Sequence, residues 1–343
     1  DEVLIEVQAS PINPSDLGTL VGAGDLTSIR AEGEGDQAKV VMDIPESVMW
    51  AMKQRIGKPL PVGNEGSGIV KEAGENAKHL IGKVVSAVGG GMYAQYRVLP
   101  AMACIEMPDD IEPKDCASSF VNPLTALGMV ETMKSEGHSA LIHTAAASNL
   151  GQMLVKICLA DNIPLINIVR KPDQVDLLKS LGAQHVCNSS DDNFKDSLVD
   201  AIKATSATLA FDATGGGELS GRILSCMEKA LRANMKEFSP YGSTQHKQVY
   251  IYGALNQSGI SLPNNRSFGM YWGIGGWLLT PFLENAGMEK NIELRQRVSS
   301  EIKTTFASSY TKEISLAQAL SLDEMMVYGS IATGKKYLIN PSL

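Results

Sequence analysis

Positive charge is in short supply in this chain. Thirty Lys and Arg face 38 Asp and Glu, a net charge of −8, so no basic field exists to attract nucleic acid or an anionic membrane surface, and neither partner is expected. Long apolar runs are missing too: no stretch reaches the roughly eighteen uninterrupted apolar residues of a membrane-spanning helix. The first residues show no basic patch followed by an apolar stretch, hence no visible signal peptide. The chain opens without methionine on DEVLIEVQASPIN, already a strand pattern, so some preceding N-terminal sequence is expected. Cysteine is sparse. Cys104, Cys116, Cys158, Cys187 and Cys226 show neither metal-ligand spacing nor a pairing pattern, which suits a reducing compartment and points to a cytoplasmic protein. The five histidines form no cluster, and repeats and low-complexity segments are absent.

What is present is ordinary globular chemistry on a two-domain scale. Apolar residues make up 44% and charged residues 20% of the chain, and 343 residues exceed one domain at about 100 to 200 residues each. Up to roughly residue 124, short alternating runs (VLIEVQA, GSGIVKEAG, KVVSAV, YAQYRVL) bounded by Gly and Pro predict the strands of a small, partly open β-barrel. Within it, AEGEGDQAKVV reads as a polar loop and PESVMWAMKQRIG, opened by Pro45, as a short helix. From Ser139 the rhythm changes. ALIHT, LGQMLVKICLA, PLINIVR, PDQVDLLKSLGA, QHVCN, NFKDSLVDAIKA, TLAFDAT, GELSGRILSCMEKAL and QVYIYGAL alternate strand with helix, which predicts βαβ units and a parallel sheet. The glycines and Pro281 of GMYWGIGGWLLTPFLENAG suggest a packed loop and helix at a domain or subunit contact. Beyond about residue 290 the pattern is helix, strand, helix, strand, a tail expected to complete the first domain.

The most informative stretch is SALIHTAAASNLGQMLVKIC, residues 139–158. Leu141 and Ile142 suit a buried strand, Ala145, Ala146, Ala147 and Ser148 are small enough for close backbone approach, and Leu150, Leu154, Val155 and Ile157 recur at helical spacing. A strand, tight turn and helix aim unpaired N–H groups and a positive dipole end at one spot, where a pyrophosphate fits against Ala147, Ser148, Asn149 and Leu150. A full GxGxxG is absent; only Gly151 remains. Asp212 and residues 214–217 follow a fourth strand, and a fifth ends at Tyr252, so Ala213, Thr214, Tyr252, Gly253 and Ala254 are expected on the same carboxyl edge. His143, ending the first of these strands, reads as a satisfied structural histidine. Where an NAD-binding fold shows a carboxylate after the second strand, this chain has Arg170 and Lys171, with Gln174 one turn on. A guanidinium there suits a 2′-phosphate, so the expected cofactor is NADPH.

PINPSD, PLPVGNEGSGIVKEAG, GMYAQYRVLP, NPLTALGMVE, the small-residue turn, LLKSLGAQHV and the closing ATGK occur in the order seen in medium-chain dehydrogenases/reductases. Over nearly its whole length the chain resembles the zinc-free quinone oxidoreductase and enoyl reductase branch, with residues 22–58 and 241–247 fitting least well. The resemblance implies an α/β chain: a GroES-like, partly open β-barrel catalytic domain (residues 1–124 and 290–343) and a Rossmann doubly wound parallel-sheet cofactor domain (residues 125–289). Zinc enzymes of that superfamily would place ligands at Asn13, at Asn64 and near Val121 or Asn122. None is a usual zinc ligand, Glu65 is a lone carboxylate, and no four-cysteine cluster appears, so no metal is expected.

By the same resemblance Asn13 would contact the nicotinamide ribose or the substrate carbonyl, Ser15 would fall at a proton-relay hydroxyl, and Thr125 would lie near the nicotinamide. Without a metal, a hydride acceptor must be polarised by hydrogen bonds or by its own conjugation, which favours a small conjugated carbonyl, a quinone first. The nearest alternative is a 2-enoyl thioester or enone reductase. Such enzymes place a proton-donating tyrosine shortly after NPSD, where this chain reads LGTLVGAGDL, so Tyr93 or Tyr271 would have to serve instead. The alternative of another class is an NADPH-binding redox sensor or structural protein with little turnover. A homodimer joined edge to edge through the cofactor-domain sheet is also implied.

Overall fold

The computed structural model describes residues 1–330 and 334–343, apart from the side chain of Asp36, so the closing ATGK motif lies partly outside the described residues. The chain divides into two compact units, Asp1–Pro123 with Glu293–Leu343, and Leu124–Ile292.

The spine of the first unit is the strand Glu2–Pro11, whose period of two buries Val3, Ile5, Val7 and Ala9. It pairs antiparallel with Glu65–Ala73, with Tyr96–Pro100 and, at its far end, with Tyr337–Ile339. Val84–Val88 and Cys104–Glu106 extend the sheet on one side, and Lys312–Ile314 joins Tyr337–Ile339 in parallel on the other. The C-terminal tail therefore returns to the strand that opens the chain. The polar stretch expected as a loop is instead a hairpin, Arg30–Glu32 with Lys39–Val41. Arg30 ties it down through Glu32 at 3.1 Å and Asp43 at 3.0 Å. Val40 packs against a buried cluster of the unit, but strands of three residues are too short to leave a hydrophobic alternation to read. The expected helix after Pro45 shrinks to a 3-10 turn, Glu46–Val48, and one α-turn, Met49–Met52.

In the second unit six strands among the described residues run parallel. They lie in the order His185–Asn188, Leu165–Val169, Leu141–Thr144, Leu209–Asp212, Lys247–Ile251, Trp272–Gly276. In chain order that is 3-2-1-4-5-6, the doubly wound arrangement whose order reverses beside the first strand. Leu141–Thr144, Leu165–Val169 and Leu209–Asp212 are buried throughout, as parallel strands covered on both faces must be. Ile142, Ile166, Ile168, Phe194, Leu224 and Met227 pack one face of the sheet against its helices. Part of the apolar segment expected to be a packed loop and helix is the sixth strand, Trp272–Gly276, paired with Lys247–Ile251. Its glycines hid the strand, and a Cβ at Gly273 would require the Gln248 side-chain amide to shift, its Oε1 lying 2.5 Å away.

Residues 241–247, which fitted the resemblance least, enclose a buried ion pair between Lys247 and Glu228 at 2.8 Å. Ser243 donates to the same carboxylate from its N–H and its Oγ, and Arg232 adds a further bond at 2.8 Å. Burial opposes ionisation of Glu228, but these four donors together hold its carboxyl below the usual range.

Two residues shape the first strand–helix turn. Ala145 sits at φ +50°, the left-handed region that costs an L-residue roughly 1–2 kcal/mol. At Gly151 a Cβ would lie 2.1 Å from the Ala146 carbonyl oxygen, so helix and turn approach closer than any side chain allows. Thermal unfolding should therefore show Ala145→Gly unchanged or stabilised by up to about 1 kcal/mol, and Gly151→Ala destabilised by roughly 2 kcal/mol or more. A neutral Gly151→Ala would contradict this account of the turn.

Candidate functional site

The helix Asn149–Ala160 begins at the turn, and Ser148 caps it. Ser148 Oγ accepts the Gly151 N–H at 3.1 Å and its carbonyl accepts the Gln152 N–H at 2.9 Å, which fixes the helix mouth. Beside it lies the buried carboxylate of Asp212. Thr144 Oγ1 donates to it at 2.8 Å, the Thr214 N–H at 2.8 Å and Ser220 Oγ at 2.7 Å, and Thr214 Oγ1 adds a further bond. Thr144 Oγ1 also accepts the Ala213 N–H at 2.8 Å. The ends of two central strands, the following turn and the next helix are thus tied to one side chain.

The neighbouring strand end is stitched on by backbone. Tyr252, Leu255 and Asn256 donate their N–H groups to the carbonyls of Asp212, Ala213 and Thr214. Glycine is required where these chains meet: a Cβ would come within 2.1 Å of a carbonyl oxygen at Gly215, 2.2 Å at Gly216 and 2.7 Å at Gly253. The structure therefore gathers residues 147–150, Ala213, Thr214, Tyr252, Gly253 and Ala254 along one sheet edge, over a floor made largely of main chain. His143 is buried on the adjacent strand with Nε2 at 2.7 Å from the Tyr252 hydroxyl. Its Nδ1 has no hydrogen-bond partner among the described residues, so it departs from the satisfied histidine expected.

Arg170 and Lys171 stand exposed immediately after Leu165–Val169. Gln174 turns its Oε1 back to accept the Arg170 N–H at 3.1 Å, and Ser190 Oγ donates to the Arg170 carbonyl at 2.9 Å. The main chain beneath the guanidinium is held from both sides. Gln174 therefore acts on this corner as a brace of the Arg170 backbone.

In the first unit, Asn13 is buried between two acids. Its N–H donates to Asp16 Oδ2 at 2.8 Å and its Nδ2 to Glu65 Oε1 at 2.8 Å. The other Glu65 oxygen accepts the N–H groups of Phe120 at 2.8 Å and Val121 at 3.0 Å, where the helix Val121–Ser135 begins. Asp16 Oδ1 accepts the Asn64 N–H at 2.8 Å, and Asn64 Nδ2 donates to Ser15 Oγ at 3.0 Å. Burial raises both carboxyls above their usual range. The cation that acts on both is Lys336, which donates to Ser118 Oγ and lies 5.5 Å from the centre of the Tyr310 ring. Burial pushes its ammonium down to about 8, against the pull of Glu65 and Asp16. Thr125 is buried in the second turn of Val121–Ser135. Among the described residues no three His, Cys, Asp or Glu side chains converge as a metal cluster.

Comparison with known proteins gives this geometry its frame. A family model for the alcohol dehydrogenase GroES-like domain matches residues 1–109, and one for zinc-binding dehydrogenases matches residues 150–254. A candidate NADPH:quinone reductase from Mesorhizobium loti superposes over 99% of this chain and 87% of its own, with TM-score 0.73 and 26% identity. The chain belongs to the medium-chain dehydrogenase/reductase superfamily. It is also 31% identical over 194 residues to the human mitochondrial enoyl-[acyl-carrier-protein] reductase, a match covering 54% of this chain and 44% of that protein. A mutant form of enoyl thioester reductase from Candida tropicalis shares the fold at TM-score 0.66 and 20% identity, over 99% of this chain and 90% of its own. The chain spans about half the length of the curated relatives it matches.

Within this medium-chain dehydrogenase/reductase, sequence reasoning passed over Asp16, Glu65 and Lys336 as a group. Only Glu65 gave a signal, as the lone carboxylate of GNEG at the head of the strand Glu65–Ala73. Of the two tyrosines weighed as substitute proton donors, Tyr93 lies against Asp16 in this cluster, with its hydroxyl 3.1 Å from the Pro11 carbonyl, while Tyr271 packs on His246 at 4.7 Å. Lys336→Met removes the cation from beside two buried carboxylates and should cost roughly 3 kcal/mol at neutral pH. A carboxyl whose pKa is raised on folding takes up its proton in the folded protein before the unfolded chain does. The deficit should therefore shrink as pH falls from 7 through the raised carboxyl range. Unfolding measured across that range checks it, and a deficit that widens in acid would contradict it.

Proposed function

We propose that the protein is an NADPH-dependent, zinc-independent reductase of conjugated carbonyls, with a quinone as its first substrate class. The observation that carries the cofactor choice is the exposed pair Arg170 and Lys171 at the end of the second strand, on a backbone corner held by Gln174 and Ser190. A guanidinium binds a phosphate by two parallel hydrogen bonds, whereas a ribose hydroxyl there would call for a carboxylate.

The residues present fit such a cofactor. The capped helix mouth at Ser148, with Ala147, Asn149 and Leu150, would take the pyrophosphate. Arg170 and Lys171 would take the 2′-phosphate. The main-chain floor at Ala213, Thr214, Gly253 and Ala254 would lie under a flat ring beside Tyr252, and Thr125 would serve the same end. When bound, the cofactor supplies the hydride. What the chain itself does is bind, orient and exclude water. Asn13, with one amide N–H beyond its bond to Glu65, would polarise an acceptor carbonyl. Ser15, whose Oγ accepts from Asn64 Nδ2 at 3.0 Å, would offer its own hydroxyl hydrogen as the proton relay. Amides at Asn13 and Asn64, where zinc enzymes of the superfamily place ligands, favour an acceptor activated by its own conjugation.

Similar proteins point to two acceptors by name, a quinone for the Mesorhizobium loti protein and an enoyl thioester for the human one. The absence of a tyrosine just after NPSD favours the quinone. A thiol-based sensor is disfavoured because burial pushes Cys104, Cys187 and Cys226 up to about 11 and Cys116 to about 12, far from thiolate at neutral pH. No disulfide joins the five cysteines, which fits a reducing compartment, the cytoplasm in our reading. The end strand Trp272–Gly276 carries neither Pro nor charge to blunt its edge, which favours a homodimer extended through it. With NADPH as donor, steady-state turnover of 1,4-benzoquinone should exceed that of a crotonyl thioester by at least about tenfold in kcat/KM. Rapid turnover of the thioester alone would overturn the substrate assignment.

A further inference from the structure

His143 and Tyr252 form a pair that the proposed chemistry does not yet use. The histidine ring is buried near the end of the central strand Leu141–Thr144, its Nε2 is 2.7 Å from the Tyr252 oxygen, and the two rings stack with centroids 5.7 Å apart. Burial pushes the imidazole down to about 4 despite the nearby charge of Asp212, so the ring is neutral at neutral pH and carries a single N–H.

Where that hydrogen sits decides what Tyr252 can do. If it were on Nδ1, a buried donor would face no acceptor among the described residues, while the tyrosine spent its own hydrogen on Nε2. If it is on Nε2, the imidazole donates to the tyrosine oxygen and only a lone pair on Nδ1 goes unsatisfied. Orphaned buried N–H groups are rarer than under-satisfied acceptors, so the second arrangement is favoured. The hydroxyl hydrogen of Tyr252 is then not taken by His143. Tyr252 is partly exposed and follows the strand Lys247–Ile251, beside Asp212 and Ala213 on the carboxyl edge. Asp212 already accepts from Thr144, Thr214 and Ser220.

We infer that His143, as the Nε2–H tautomer, orients Tyr252 so that the tyrosine hydroxyl donates a hydrogen bond to the carboxamide oxygen of the nicotinamide. The inference rests on the reading of this edge as the dinucleotide site. It gives Tyr252 a task separate from Arg170: the tyrosine reads the nicotinamide end and the arginine the adenosine end.

Two measurements test it. Nitrogen-15 correlation spectra of the intact protein, with the His143 signals assigned by their loss in His143→Asn, should show Nε2 protonated and Nδ1 unprotonated at neutral pH. A protonated Nδ1 overturns the inference without any variant having to fold. Equilibrium binding to Tyr252→Phe should then weaken NADPH by about tenfold, the size of one hydrogen bond, while adenosine 2′,5′-bisphosphate, which lacks a carboxamide, binds as to the unaltered protein. Equal loss of both ligands, or loss of neither, also overturns it. Failure of the underlying reading looks different: the unaltered protein would then bind neither ligand.

Discussion

The cofactor unit depends on the burial of one carboxylate. Asp212 lies at the end of a central strand, out of contact with water, and would be strongly destabilising there if its oxygens lacked donors. Thr144, Thr214 and Ser220 supply them. Because each donor comes from a different piece of chain, satisfying the charge also fixes the ends of two strands, a turn and the start of a helix. The sheet edge becomes rigid where a dinucleotide would lie, and the main-chain floor at Gly215, Gly216 and Gly253 follows from that register. A rigid, mostly main-chain surface suits an enzyme whose cofactor carries the chemistry, since the protein is asked mainly for position.

The first unit solves a similar problem with two acids and a lysine. Glu65 takes two N–H groups at the head of Val121–Ser135 and one from Asn13, Asp16 takes the N–H groups of Asn13 and Asn64, and Lys336 balances their charge. Each buried charge is costly to desolvate, and the return is orientation. Asn13 and Asn64 are held at the positions where zinc enzymes of the superfamily carry ligands. In the proposed reading their amides would offer hydrogen bonds in place of a Lewis acid, which would suit a conjugated acceptor.

Much of the second unit was legible in the sequence because its elements are periodic. LINIV is a run buried on both faces, NLGQMLVKICLA repeats its apolar face at helical spacing, and strand ends in a doubly wound sheet share one edge wherever loops differ. That geometry is why residues as far apart as Ser148, Thr214 and Tyr252 could be assigned to one place. What stayed hidden had no period. The hairpin at residues 30–41 has strands of only three residues, Trp272–Gly276 is a strand written largely in glycine, and the partnership of Lys336 with Glu65 and Asp16 joins opposite ends of the chain through charge alone. The return of Gln174 onto Arg170 is a side-chain rotamer, which composition and spacing do not encode. The small-residue turn was read correctly as a turn, yet the reason Gly151 is irreplaceable, a carbonyl 2.1 Å from its missing Cβ, is visible only in three dimensions.

The central claim is that Arg170 reads a 2′-phosphate, and equilibrium titration of NADPH and NADH against the protein and its Arg170→Asp form tests it most directly. The account predicts NADPH bound at least about tenfold more tightly than NADH by the unaltered protein, a difference of about 1.4 kcal/mol or more. In Arg170→Asp that preference should be lost, with NADH affinity little changed. Equal affinities in the unaltered protein, or an equal loss for both nucleotides on substitution, would contradict it.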